Sequence, residues 1–406
     1  MSDPLQISPE PSPLLPSLKL LVISTYPPKA CGIGTFTHDL LNGIVEGDGR
    51  TDYRVVAIDD PEDCFSYEWV VRQRLQKEEL TSLERVAAYA NASGADAVNI
   101  QHEFGIWGGF DGEFVLPFLD QLRIPAVITL HSVPLTHSSF NRENRVRIAT
   151  AMARRAAHVV TFVPEARDFL VTTCGVPAEK VTVIWHGAPR FPTDREAPAR
   201  HDLGLEGRLV VSTFGLLTRF KGLEYAVRAL PPLVERFPNL QYLLLGRPHP
   251  AEPETFMPAL KALVVQLGLS QHVRFVDHYL SHQEIGDYLA ATDVYLTPYL
   301  DETQISSGTL TYALSAGRCV VSTPYVYARA ALADGRGTLV SFGSSESITE
   351  ALARLLGDAT LRAEYAARAH AFGEELAWPV VASRFVNVVR GVLTDTPVAV
   401  AAAGRR

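Results

Sequence analysis

The feature that most limits what this chain can become is a repeated alternation. Short, nearly unbroken apolar runs are each followed by a stretch with helical spacing. Leu20 to Ser24 (LLVIS) is the first such run, and an apolar run of that length marks a strand buried on both faces of a parallel sheet. Tyr53 to Ile58, Ala97 to Ile100, Ala126 to Thr129, Val159 to Phe162 and Val181 to Ile184 repeat it, with helical stretches such as Ser82 to Ala92 and Asn144 to Ala156 between most of them. Alternating strands and helices imply a parallel sheet covered on both faces. The segment Ala188 to Gly204 (APRFPTDREAPARHDLG) then breaks the pattern with proline and charge, and reads as a linker. A second series follows: Leu209 to Phe214, Tyr242 to Leu245, Val273 to Val276, Val294 to Leu296, Cys319 to Ser322 and Thr338 to Val340. Its helices are expected at Leu223 to Glu235, Met257 to Leu267, His282 to Ala291 and Thr309 to Ala316. Two doubly wound α/β domains in tandem are therefore expected. The first spans 18–190 and the second 208–374, joined by a linker at 191–207. A helical Ala359 to Phe372 leads to a last helix within 375–393, between loose tails at 1–17 and 394–406.

Composition removes several classes of function. At 406 residues the chain is too long for one ordinary core, and 47% hydrophobic with 20% charged residues describes a globular protein. A formal net charge of −8 argues against nucleic acid as partner. The four cysteines, Cys31, Cys64, Cys174 and Cys319, lie far apart and suggest neither a zinc site nor a disulfide framework, which fits a reducing cytoplasm. No apolar run approaches the ~18 residues that span a bilayer. The first residues, MSDPLQISPEPSPLLPS, lack the basic start and apolar middle of a signal peptide.

In sheets of this kind ligands sit beyond the carboxyl ends of the strands. The polar residues there are Gln101-His102-Glu103, His131-Ser132, Pro164-Glu165 and His186-Gly187. Three histidines at one sheet edge point to a site. Trp107, flanked by Gly108 and Gly109, reads either as a mobile aromatic lid or as packed core. After the first strand, Gly32-Ile33-Gly34 opens a helix whose apolar face includes Phe36, Leu40, Leu41 and Ile44. This is not the G-x-G-x-x-G dinucleotide fingerprint. The glycines serve either a tight turn or the close approach of a phosphate or sugar.

The stretch Asp293 to Tyr325 has the same form: a buried strand, the loop Gln304-Ile305-Ser306-Ser307-Gly308, a short helix and a second buried strand. A helix start leaves backbone N–H groups unpaired and partly positive, so small residues there let an anion come close. The alternative is a plain helix start capped by Ser306 or Ser307.

These elements, with Gly215 to Gly222 (a G-x5-K-G element) and Ser315-Ala316-Gly317, resemble the GT-B glycosyltransferases of the retaining family-4 type, also called glycosyl transferases group 1. The resemblance runs from about Leu20 to Leu393. It implies two Rossmann-like domains with a cleft between them, and a final helix, from Trp378, crossing back onto the first domain. It also implies a nucleotide-diphosphate-sugar donor on the second domain and a glycan, lipid-linked or small-molecule acceptor on the first. A lipid-linked acceptor would bring peripheral contact with a membrane. No cofactor and no metal is implied.

Carried over residue by residue, the resemblance assigns His131 to sugar positioning at the reaction centre and Lys221 to the leaving phosphate. Arg219 joins Lys221, because the family's usual arginine falls on Leu216. Gly32, Gly34, Gln304, Ser306, Ser307, Gly308, Thr309 and Tyr312 are expected at the donor, and His102, Glu103, Trp107 and His186 at the acceptor. Gln304 and Tyr312 stand where the family usually has two glutamates. That departure keeps two other readings open: a phosphorylase of the same fold using inorganic phosphate, and a silent glycan-binding or partner-binding protein.

Overall fold

The computed structural model describes residues 17–136, 139–192, 194–249 and 252–395. Most of the expected tails at 1–17 and 394–406 therefore lies outside the described residues. Seven parallel strands form the first sheet: β1 (Leu18–Ser24), β2 (Thr51–Asp59), β3 (Val71–Gln76), β4 (Ala97–His102), β5 (Ala126–Leu130), β6 (His158–Thr161) and β7 (Val181–Val183). Six form the second: β8 (Leu209–Phe214), β9 (Leu240–Leu245), β10 (Val273–Val276), β11 (Val294–Thr297), β12 (Cys319–Ser322) and β13 (Thr338–Leu339). The orders are β3-β2-β1-β4-β5-β6-β7 and β10-β9-β8-β11-β12-β13. Both reverse direction beside their first strand, so each domain opens a crevice at the carboxyl end of β1 or β8. The two-domain Rossmann-like α/β architecture is the one expected from the strand runs.

Local differences have physical causes. β3 (VRQRLQ) is an edge strand with polar residues on its open side, so it carries no continuous apolar run. The expected helix from Leu223 to Glu235 is two helices, Leu223–Arg228 and Pro231–Arg236. Pro231 and Pro232 lack the N–H groups that would continue the first and instead begin the second. Within the expected linker a short helix forms, Glu196–Asp202, with Pro198 tolerated in its first turn.

The last helix, Trp378–Asp395, packs on the helix Gly32–Asp48. Glycine makes that approach possible. A Cβ on Gly43 would lie 2.7 Å from the Trp378 carbonyl oxygen, and one on Gly187 would lie 2.2 Å from the Trp378 ring. A single buried cluster runs from the first sheet through this helix into the near face of the second sheet, and a separate cluster fills the far face. The domain interface is thus part of the larger core.

Candidate active site

A cavity of about 640 Å³ lies between the domains, with Gly32, Phe36, Asp39 and His186 on one side and Gly215, Lys221, Gly308, Thr309 and Tyr312 on the other. A smaller recess of about 270 Å³ shares Lys221, Gly308 and Thr309 with it and adds Gln304, Ser306 and Ser307.

The second-domain wall is built from tight loops. Gly215, directly after β8, has φ of +120°, a backbone open to glycine and strained for other residues. A Cβ there would meet the Thr309 methyl at 3.1 Å and the Lys221 ammonium at 3.5 Å. Lys221 Nζ donates to the Tyr299 hydroxyl at 2.6 Å and stands 4.1 Å from that ring's centre. No carboxylate among the described residues pairs with it. Burial without a counter-charge pushes its pKa down to about 7. Tyr299 in turn shares a hydrogen bond of 2.8 Å with Thr309 Oγ1 and stacks on Tyr325.

The helix Gly308–Ser315 starts at this point. Ser307 is its N-cap, and its hydroxyl accepts from the Leu310 N–H at 3.4 Å. The capped reading is therefore correct for Ser307, while the Gly308 and Thr309 end of the helix still faces the cavity. Ser306 donates to the His131 carbonyl oxygen at 3.3 Å, and Gln304 Nε2 donates to the Ser306 carbonyl oxygen at 2.7 Å. Gln304 and Ser306 thus hold the loop and face the smaller recess.

Arg219 is elsewhere. It is 58% exposed, pairs with Glu252 at 3.3 Å and does not line the cavity. Arg247, after β9, lines it instead. Tight turning explains the separation: Arg219–Lys221 is one 3-10 turn, which points Lys221 inward and Arg219 out.

The first-domain wall differs from expectation at most positions. Phe36 lines the cavity, and its ring lies 4.8 Å from that of His131 and 5.0 Å from that of His186. His131 is buried and does not line the cavity; its Nε2 donates to Gln101 Oε1 at 2.7 Å. Burial, with the neighbouring His186 and His102, holds its pKa near 3, so it is neutral. His102 is fully buried with neither ring nitrogen hydrogen-bonded, and burial likewise holds it near 3. Glu103 turns onto its own loop, accepting from the Gly105 N–H at 2.6 Å. Trp107 is core and no lid: it packs on Phe118, and its Nε1–H donates to the Gln101 carbonyl oxygen at 3.3 Å. The glycine beside it serves close packing, since a Cβ on Gly108 would lie 1.7 Å from the Lys77 carbonyl oxygen. Gly32 lines the cavity, whereas Gly34 does not, and a Cβ on it would lie 3.4 Å from the Thr25 backbone.

Of the three expected histidines, His186 is the one that reaches the cavity, where His38 and His282 also lie. Its Nδ1 lies 2.7 Å from the Gly187 carbonyl oxygen, which only accepts, so Nδ1 carries the proton and Nε2 keeps a lone pair. A Cβ on Gly308 would lie 3.2 Å from that Nε2. Burial lowers the ring's pKa to about 4 and keeps it neutral.

Besides Arg247, sequence reasoning missed Asp39. It is 4% exposed, lines the cavity and accepts from the Tyr312 hydroxyl at 3.0 Å across the domain boundary. The signal was present: Asp39 stands three residues after Phe36 and just before Leu40, on the helix's apolar stripe. Among the described residues no group of three metal-ligating side chains converges.

The model of the glycosyl transferase 4-like domain matches residues 32–187, and that of the glycosyl transferases group 1 matches 208–358. The phosphatidyl-myo-inositol mannosyltransferase of Mycolicibacterium smegmatis is 31% identical over 48% of this chain and 48% of its own length. A D-inositol 3-phosphate glycosyltransferase of Corynebacterium efficiens is 27% identical over 66% of each chain. The chain spans about half the length of the mycobacterial relatives it matches. Among solved structures, sucrose-phosphate synthase from Thermosynechococcus elongatus superposes with a TM-score of 0.76, 19% identity, and coverage of 93% of this chain and 100% of that one. Anabaena HepE in complex with UDP gives 0.74, 17%, 92% and 100%. The chain belongs to the group 1 glycosyltransferases of GT-B fold.

Proposed function

We propose that the protein transfers a sugar from a nucleotide-diphosphate donor to a hydroxylated acceptor, with retention of the anomeric configuration and with its own residues neutralising the leaving group. The carrying observation is Lys221, a part-buried ammonium without a carboxylate partner, set beside the Gly308 helix start in a cavity between the domains. Breaking a sugar–diphosphate bond places charge on the leaving phosphate, and fixed donors aimed at that charge lower the barrier. Lys221, the Thr309 hydroxyl and the amides of Gly308 and Thr309 are such donors. Retention follows from the family resemblance. The acceptor is a glycan, a lipid-linked sugar or a small polyol on the first domain, in line with the inositol-containing names of the relatives. A cytoplasmic location goes with that donor. No helix among the described residues is long and apolar enough to cross a membrane.

Thermal shift with UDP, GDP, ADP and inorganic phosphate tests this reading. A nucleoside diphosphate at a hundredfold excess over its Kd stabilises by about 2.7 kcal/mol, which raises Tm by several degrees. Stabilisation by one nucleoside diphosphate is the expected result. Stabilisation by phosphate alone would make the protein a phosphorylase, and none at all would leave a silent binding protein.

A further inference from the structure

The two walls of the cleft have opposite hydrogen-bonding character. On the second domain, Lys221 and the Gly308 helix start present donors. On the first domain, the His186 Nε2 lone pair and the Asp39 carboxylate present acceptors. A ligand that fits both walls is anionic at one end and carries hydroxyl groups at the other.

Asp39 is the less ordinary of the two acceptors. A carboxylate this deeply buried is costly unless it is compensated, yet no lysine or arginine among the described residues pairs with it. Its neighbours are the Tyr312 hydroxyl at 3.0 Å, His38 Nδ1 at 3.3 Å and His282 Nε2 at 3.5 Å. Tyr312 and His38 donate to it, one to each oxygen, and a carboxylate offers roughly four lone-pair positions. Acceptor capacity therefore remains on a group that lines the cavity. Two vicinal hydroxyls are the natural complement, because adjacent O–H groups can address both oxygens of one carboxylate.

We propose that Asp39 recognises a vicinal diol of the ligand, reaching it from the first domain while the ligand's phosphate is held on the Lys221 wall. This rests on the transferase reading for the ligand's nucleotide, and the diol belongs to its ribose or to the sugar. Asp39 lies on the helix Gly32–Asp48, whereas Tyr312 and His282 lie on second-domain helices. The diol site is complete only when the domains are apposed, so hydroxyl recognition and domain closure are one event.

Calorimetric titration of wild type and Asp39→Asn tests the assignment. The ligands are the preferred nucleoside diphosphate, its 2′,3′-dideoxy analogue, glucose 1-phosphate and inorganic phosphate. The expected result is a loss of at least ~10-fold in affinity for the hydroxylated ligands, with the dideoxy analogue and phosphate unchanged within about twofold. Loss for the nucleoside diphosphate places the diol on ribose, and loss for glucose 1-phosphate alone places it on the sugar. Asp39→Glu keeps the charge but moves the oxygens, and gives the same discrimination if the Asn variant does not fold. Tyr312→Phe separates recognition from mere support, because a recognising Asp39 keeps its preference for diol over dideoxy ligand there. Equal loss of phosphate, or wild-type affinity for every hydroxylated ligand, would overturn the proposal. If wild type binds nucleotides and Asp39→Asn is unaffected, the Asp39 assignment fails and the transferase reading stands. If wild type binds no nucleotide but Asp39→Asn loses glucose 1-phosphate, the reverse holds.

Discussion

The two halves of the cleft were read from the same kind of signal, polar residues at the ends of buried strands, with different success. In the second domain Lys221, Gly308, Thr309 and Tyr312 reach the cavity, Gln304, Ser306 and Ser307 line only the smaller recess, and Arg219 lines neither. In the first, His102, Glu103, His131 and Trp107 do not, and only Gly32 and His186 of the expected residues line it. At His131 the difference is one aromatic ring. Phe36 rises from the first helix, packs against both His131 and His186, and takes up the cavity wall ahead of His131. Behind it, His131, Gln101 and Asn99 form a hydrogen-bonded chain: His131 donates to Gln101, and Gln101 Nε2 donates to Asn99 Oδ1 at 2.7 Å. A strand-end polar residue marks a site only if the neighbouring helix leaves it uncovered. In the second domain the corresponding positions, Gly215 and Gly246, are glycines with no side chain to cover anything.

The largest expected effect tests the second-domain wall. Charge-assisted bonds to phosphate contribute ~1.5–3 kcal/mol each. Lys221→Met should therefore lower nucleoside-diphosphate affinity and kcat/KM by roughly 10- to 100-fold. The same variant has a pH signature. The folded pKa of Lys221, about 7, lies below its ordinary 10.5, so between those values the unfolded chain binds the extra proton. The stability of the ligand-free protein then rises with pH across that window, and below pH 7 the cost of burying the charge is fully in force. Tm measured from pH 7 to 10 should rise less in Lys221→Met than in wild type. Calorimetry at pH 8, in buffers of different ionisation enthalpy, should show proton uptake on nucleotide binding by wild type alone. Equal affinity and equal pH slopes in the two proteins would place the phosphate elsewhere.

A smaller effect, of a different kind, tests the first-domain wall. His131→Ala removes the donor to Gln101 Oε1 inside the core, and a buried acceptor left unsatisfied costs about 1–3 kcal/mol. Tm should fall by several degrees, while kcat/KM of the folded enzyme stays within about threefold of wild type. A loss of a hundredfold or more in kcat/KM at unchanged Tm would show that His131 acts on the ligand, with Phe36 swinging aside to let it.

These outcomes also measure what the sequence could reveal. Buried parallel strands are legible because an unbroken apolar run has few other uses, and β1, β4, β5, β8 and β9 lie close to where their runs place them. β3 was not legible, because an edge strand with Arg72 and Arg74 reads as loop. The Gly308 helix start and Lys221 were legible through small residues and a fixed spacing. Asp39 was legible in principle, as a carboxylate on the stripe that also holds Phe36, Leu40 and Ile44. Its partner Tyr312 stands 273 residues away in sequence. Nothing local announces such a pair, and only the closure of two domains brings it together.

The smallest expected effect separates two cations only two residues apart. The family resemblance put Arg219 and Lys221 together on the phosphate. In the structure the turn Arg219–Lys221 points them apart, and Gly222, in the left-handed region at φ +62°, closes it. A Cβ on Gly222 would lie 2.1 Å from the Pro298 carbonyl oxygen, so the turn has little freedom to rotate Arg219 inward. Arg219 instead meets Glu252 at 3.3 Å while more than half exposed. The Glu252 side chain is only 7% exposed but also accepts from the Arg219 backbone N–H at 3.3 Å, so the guanidinium contributes about 0.5–1.5 kcal/mol. Arg219→Ala should therefore leave Tm within a degree or two and kcat/KM within about threefold. Arg247, which does line the cavity, is the better second cation, and Arg247→Ala should cost more than Arg219→Ala. Kinetics on the two single variants decide it. A tenfold or greater loss in Arg219→Ala, with Arg247→Ala near wild type, would mean that ligand binding remodels the turn and recruits Arg219 after all.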